Sequence, residues 1–131
     1  MDPLGLSSGN IKEFDIVPYR PGNSPLENHH GVLDIWMSKN VPSYGGKYLT
    51  NSPMIVLSVE NHAATKAVYR DWLRQRTGKP AGGKVDWTTV SNRDMKHLSE
   101  KMFDAAHVPA ASRDAYYRAV NQYLYDGLLS L

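Results

Sequence analysis

The longest uninterrupted apolar run in this chain is four residues, Met54-Ile55-Val56-Leu57. That is far short of the roughly 20 residues a membrane span needs. Bounded by Pro53 and Ser58, it reads as one short buried strand. Helical spacing takes over directly after it. Ser58 is placed to cap a helix on which Ala63, Ala64, Ala67, Val68, Trp72 and Leu73 recur through Gln75, and Gly78 stops it. Asp86 to Val90 reads as extended or turn-like. Ser91, with Asp94 three residues on, opens a second helix with a stripe of Met95, Leu98, Met102 and Phe103. Pro109 breaks it, and a third helix is expected from about Ala110 to Leu129, with Tyr116, Val120, Tyr123 and Leu124 on one side. A chain with one short strand signal and three helix signals is α+β and mostly helical.

The segment before the strand is less regular. Residues 1–26 carry four prolines and a Gly/Ser-rich stretch, the composition of an extended arm, with 11–19 able to form one short strand. Residues 27–36 are mixed in pattern, and 37–53, with Pro42, Gly45, Gly46 and Pro53, read as an irregular loop. The expected organisation is an arm over 1–26 and a single domain over 27–131. At 131 residues and 41% hydrophobic, such a chain can build a core without staples. The absence of Cys excludes disulfides, thiolate metal sites and a cysteine nucleophile, so any metal must sit on His, carboxylate or amide groups. The first residues lack the basic and apolar regions of a signal peptide.

Charge is unevenly placed. Residues 1–65 hold four Lys/Arg against six Asp/Glu, 66–101 hold nine against four, and 102–131 hold two against three. The basic middle third suits one face meeting an anionic polymer, while a solvated helix face with i,i+4 pairs is the plain alternative.

Of the five histidines, His97 and His107 sit in or at the end of the second helix, where surface or packing roles are the default. His29 and His30 are adjacent. On an extended segment their side chains point oppositely, which allows one to bind a metal while its neighbour faces a substrate groove. Glu27 shares a face with His29 and is placed to accept its ring N–H. His62 stands in the first turn of the helix after the strand, able to project toward something bound between the two.

Glu27-Asn28-His29-His30, the stretch from Asn51 to Leu57 and His62 at a helix start together resemble nucleases of the HNH/endonuclease VII type. The closer likeness is to the His-rich branch found in bacterial polymorphic toxins. The resemblance covers roughly residues 25–76 and implies a ββα-metal core, here followed by additional helices. A separate resemblance lies in Asp2-Pro3-Leu4-Gly5-Leu6, which is similar to the signature ending the core of Rhs (rearrangement hotspot) proteins. In that family the core cleaves itself after this signature and releases a C-terminal toxin. The implied context is a fragment of a larger protein, enclosed by the parent Rhs core before release. Delivery would be through a bacterial secretion system, type VI being the expected one, into the cytoplasm of a target cell.

The HNH resemblance implies roles. His29 and His62 are the expected metal ligands and His30 the general base that deprotonates water, a task suited to a neutral imidazole. Glu27, as the partner of the His29 ring, and Asn51, as the candidate for orienting the base, complete the catalytic candidates beside His30. Colicin-type nucleases carry another His four residues after the helix ligand, where this chain has Lys66. Two His ligands with waters, or with Asp34 or Glu60 added, favour one Mg²⁺ or Mn²⁺ over tightly held Zn²⁺, which stays possible. Lys66, Arg70 and Arg74 form a stripe for sequence-independent phosphate contact. Trp72, Tyr116 and Tyr123 fall at packing positions, leaving Tyr44 and Tyr48 as the aromatic candidates for touching DNA.

The function these features imply is a metal-dependent endonuclease, a DNase acting as an antibacterial toxin, with a cognate immunity protein bound through the basic face or over the active site, an acidic surface being the complement to residues 66–101. No stable membrane insertion is expected. An RNA-cleaving or base-modifying toxin is one alternative, and a non-enzymatic nucleic-acid-binding module with a structural His pair is another.

Overall fold

The computed structural model describes residues 11–18, 25–42, 44, 52–80 and 82–129. In chain order its elements are β1 (Ile16–Val17), β2 (Glu27–His29), α1 (Asp34–Asn40), β3 (Met54–Leu57), α2 (Val59–Thr77), a 3-10 turn (Trp87–Thr89), α3 (Asn92–Ala105) and α4 (Ala110–Leu129). Four helices and a small sheet make the fold α+β and mostly helical, as the sequence predicts.

β3 is the central strand of an antiparallel sheet ordered β1-β3-β2. All four of its residues are buried, which is why it reads as an unbroken apolar run rather than an alternating one. Ile16 pairs with Ile55 on one edge, so a short strand does form within residues 11–19. On the other edge Glu27 pairs with Leu57 and His29 with Ile55. β2, β3 and α2 are therefore consecutive in space, a ββα unit with His29 ending one strand and His62 opening the helix.

The helix boundaries follow from their caps. Ser58 Oγ accepts the Asn61 N–H at 3.1 Å, and α2 ends at Gly78, whose φ of 70° is left-handed. Ser91 Oγ accepts the Asp94 N–H at 3.1 Å to open α3. The expected stripe on α3 is buried throughout, and Tyr116 and Val120 of α4 join the same core. On α2 the inward face is narrower than the alanines suggest. Ala63 and Ala67 are exposed, and Thr65 is its one buried residue.

Helix α1 corrects the expectation of a mixed stretch running into a loop. It is seven residues long and Leu33 supplies no side-chain cap, so local signals do not mark it. Tertiary contacts hold it instead. Trp36 and Met37 are buried, Trp36 Nε1 donates to Val90 O at 2.8 Å, and Asn40 Nδ2 donates to Trp87 O at 3.0 Å. Among the described residues no helix is long and apolar enough to cross a membrane.

Candidate active site

β2 and α2 both contribute to a pocket of about 330 Å³ whose lining includes His29, His30, Asp34, His62, Thr65 and Lys66. The two adjacent histidines share this pocket, contrary to the opposite placement expected of an extended pair. The strand ends at His29, and the chain turns through Gly31, so strand alternation does not extend to His30. Their partners still differ. The His29 ring meets the His62 ring edge-on at 5.5 Å and the Phe103 ring at 6.2 Å, whereas His30 Nε2 lies 2.8 Å from Ser52 Oγ.

Glu27 takes a different partner from the one its spacing suggests. It does share the His29 side of β2, but its Oε1 lies 2.7 Å from Nδ1 of His62, reaching across from strand to helix. The bond to His62 lowers the Glu27 carboxyl below its usual range, against a smaller opposing effect of desolvation and with help from the charges of His62 and Lys66. His29 is left with Nε2 buried and without a hydrogen-bond partner. Burial, then the neighbouring His62 and His30, push its pKa down to about 3, so the ring stays neutral and keeps a lone pair for a Lewis acid.

The third segment at the site comes from α3 and α4, whose apolar stripes read in the sequence as packing faces. Tyr116 of α4 accepts the Val32 N–H at 2.8 Å, Ser99 of α3 donates to Gly31 O, and Phe103 packs on His29. All three side chains are fully buried. They clamp the turn that carries the two histidines, and their helical positions gave no hint of it beyond a core face. Ser52 likewise carried no signal, being a small polar residue beside the loop.

A family of HNH/Endo VII superfamily toxins with a SHH signature matches residues 23–125. The chain belongs to that family. No solved structure matches it. The toxin is therefore a member of a nuclease superfamily whose enzymes typically use a divalent metal. Its nucleic-acid substrate follows at the same level of generality.

The remaining candidates divide. Lys66 is exposed and lines the pocket, and Arg70 is exposed one turn further along α2. Arg74 is exposed too, but its guanidinium is held by Asp71 at 2.9 Å and Pro80 O at 3.0 Å. Asp34 lines the pocket and Glu60 does not. Among the described residues no group of three or more His, Asp or Glu is arranged to hold a metal ion. Tyr44 is buried, its hydroxyl bonded to Asp34, and so is not a surface for DNA. Trp72 stacks on Trp87 at 5.5 Å, a packing role as expected. His97 and His107 are exposed. Asn51, Tyr48 and the Asp2 to Leu6 motif lie outside the described residues.

Proposed function

We propose that this pocket is the catalytic centre of a divalent-metal-dependent endonuclease that hydrolyses DNA phosphodiester bonds as an antibacterial toxin. The observation that carries the reading is His29 Nε2, a buried nitrogen with no partner, in a pocket wall beside a second imidazole. Leaving such an atom unpaired costs about 1–3 kcal/mol, and an ion bound there would satisfy it. The donor set fits a metal: His29 and His62 would hold it, with water and phosphate oxygens completing the coordination. So few nitrogen ligands suit Mg²⁺ or Mn²⁺ better than Zn²⁺. Once bound, the ion would supply Lewis-acid stabilisation to the phosphate and its leaving oxygen.

The chain's own groups do the rest. His30 takes the proton of the attacking water. Glu27 accepts the Nδ1–H of His62, which turns the Nε2 lone pair toward the pocket. Lys66 and Arg70 hold the phosphate backbone by charge, without reading sequence. Asn51 is the further candidate for orienting the base. The likeness of residues 2–6 to the Rhs cleavage signature supports release from an Rhs core and type VI delivery into a target-cell cytoplasm. An immunity protein with an acidic surface would neutralise the basic stretch over residues 66–101.

The test uses purified toxin on supercoiled plasmid beside tRNA. His30→Ala is expected to bind duplex and not cut it. Chelation with EDTA is expected to stop the parent, and added Mn²⁺ to restore it. Parental cleavage by His30→Ala overturns the base assignment, and cleavage after thorough chelation overturns the metal. Cut tRNA beside intact plasmid moves the target to RNA.

A further inference from the structure

His62, Lys66 and Tyr69 follow one another at steps of four and three residues on α2, so they share one face of the helix, and all three line the pocket. His62 would serve the metal and Lys66 the phosphate charge, and Tyr69 has neither task. The sequence singled out Tyr44 and Tyr48 for nucleic acid, but the tyrosine that the fold brings to the pocket is Tyr69. Its ring is stacked on that of the buried Trp87, with centroids 6.4 Å apart and planes inclined at 18°. That contact fixes the ring and commits one of its faces to protein, which leaves the hydroxyl edge for a ligand. The hydroxyls of Tyr44, Tyr116 and Tyr117 are bonded to Asp34, the Val32 N–H and Glu100. Among the described residues the Tyr69 hydroxyl has no hydrogen-bond partner. Burial alone raises its pKa above the ordinary value, so it stays neutral, a donor that brings no charge with it.

We propose that Tyr69 is a substrate-binding residue whose hydroxyl donates a hydrogen bond to a phosphate next to the one that is cleaved. Reach decides which phosphate it meets. Tyr69 stands seven residues beyond His62, about 10 Å along the helix axis. Side chains on a helix lean toward its N-terminus and cover the preceding turn, which carries the hydroxyl over Lys66 and leaves it about one turn short of His62. A backbone held at His62 therefore meets Tyr69 one phosphate further along, with Lys66 between the two. The inference rests on the pocket being the catalytic centre and adds what the substrate must carry. It needs at least two consecutive phosphates, so it is a polynucleotide strand rather than an isolated phosphodiester. A neutral donor suits this place, because Lys66 and Arg70 already supply charge. The hydroxyl adds direction to the contact without adding to its salt dependence, and like theirs the contact carries no base information.

The experiment removes one oxygen atom. Tyr69→Phe keeps the ring and its stacking on Trp87, so the fold is retained. On a His30→Ala background in EDTA, binding of a labelled duplex should weaken by about tenfold, with an unchanged slope of log affinity against log salt. In the otherwise unaltered toxin with Mg²⁺, KM should rise by about tenfold and kcat stay within about twofold. A set of short oligonucleotides, each with one linkage replaced by an uncharged methylphosphonate, then locates the contact. At one linkage beside the cut, the replacement should slow the parent and leave Tyr69→Phe much less affected. Parental affinity and KM in Tyr69→Phe overturn the inference, as do equal methylphosphonate penalties in both proteins at every linkage. A fall in kcat at unchanged KM overturns the assignment to a neighbouring phosphate and moves the hydroxyl to the cleaved one. A parent that cuts neither plasmid nor tRNA overturns the catalytic reading instead, and the binding measurement still decides on Tyr69.

Discussion

The Glu27 carboxylate sits 2.7 Å from Nδ1 of His62 and ties the edge strand of the sheet to the first turn of the helix packed over it. A carboxylate in that position fixes the ring's tautomer and rotation and strengthens Nε2 as a donor. Glu27→Gln keeps an accepting oxygen and loses the charge, whereas Glu27→Ala loses both. Mn²⁺ affinity, measured by calorimetry, should fall about tenfold in the first and toward a hundredfold in the second. Equal affinity in all three proteins would show that His62 does not ligate through Nε2.

Much of this site was legible in the chain because its chemistry rides on local signals. Ser58 marks the helix start that places His62, and the apolar run from Met54 to Leu57 marks the strand against which Glu27 and His29 pair. What did not show was partner choice. Alternation puts Glu27 and His29 on one face, yet cannot say that a helix 35 residues away offers Glu27 a nearer imidazole. Helix α1 was missed for a related reason: its stability comes from Trp36 and Asn40 reaching Val90 and Trp87, contacts about 50 residues off in sequence. The clamp formed by Ser99, Phe103 and Tyr116 was hidden inside an ordinary core stripe. Burial says a residue faces inward, and says nothing of whose backbone it holds.

That clamp makes Gly31 a sensitive position. A Cβ there would lie 2.5 Å from Phe103 Cζ and 3.0 Å from Tyr116 Cε2, inside a packed ring cluster. Gly31→Ala should lower stability by about 1–3 kcal/mol, read from the urea midpoint. Cleavage should fall as well, because the displaced turn carries His29 and His30. Adding Phe103→Leu opens space and should recover part of the stability. A Gly31→Ala protein as stable and active as the parent would mean the ring cluster yields without moving the turn.

Glu13 gives the fold a pH dependence of its own. Its Oε2 accepts the Ser58 N–H at 2.5 Å and the Asn61 side-chain amide at 2.9 Å, pinning the chain before β1 to the start of α2. Desolvation raises the carboxyl's pKa, but the hydrogen bonds from Ser58 and Asn61 outweigh it and leave the group below its ordinary 4.5. A depressed carboxyl stabilises fully above the unfolded value and loses that contribution as pH falls through the folded one. Glu13→Gln should therefore cost about 1 kcal/mol or less at neutral pH, since the group is largely solvent-screened. The gap between variant and parent in urea titrations should close as pH falls from above 4.5 through the lowered value of the folded carboxyl. A gap that stays constant with pH would assign the effect to shape rather than charge.

Lys66 and Arg70 project from successive turns of the helix that carries His62, both exposed, with Lys66 at the pocket. Unlike them, Arg74 spends its guanidinium on Asp71 and Pro80 O. If the first two meet phosphates, each releases about one counterion on binding. Lys66→Ala and Arg70→Ala, made on a His30→Ala background, should each reduce the slope of log affinity against log salt by about 1. The loss should be the same for labelled duplexes of unrelated sequence, because phosphate contacts carry no base information. Arg74→Ala should change the slope less, its charge being already partly neutralised. A variant that alters preference among duplexes while leaving the slope intact would move that side chain from the backbone to a base edge.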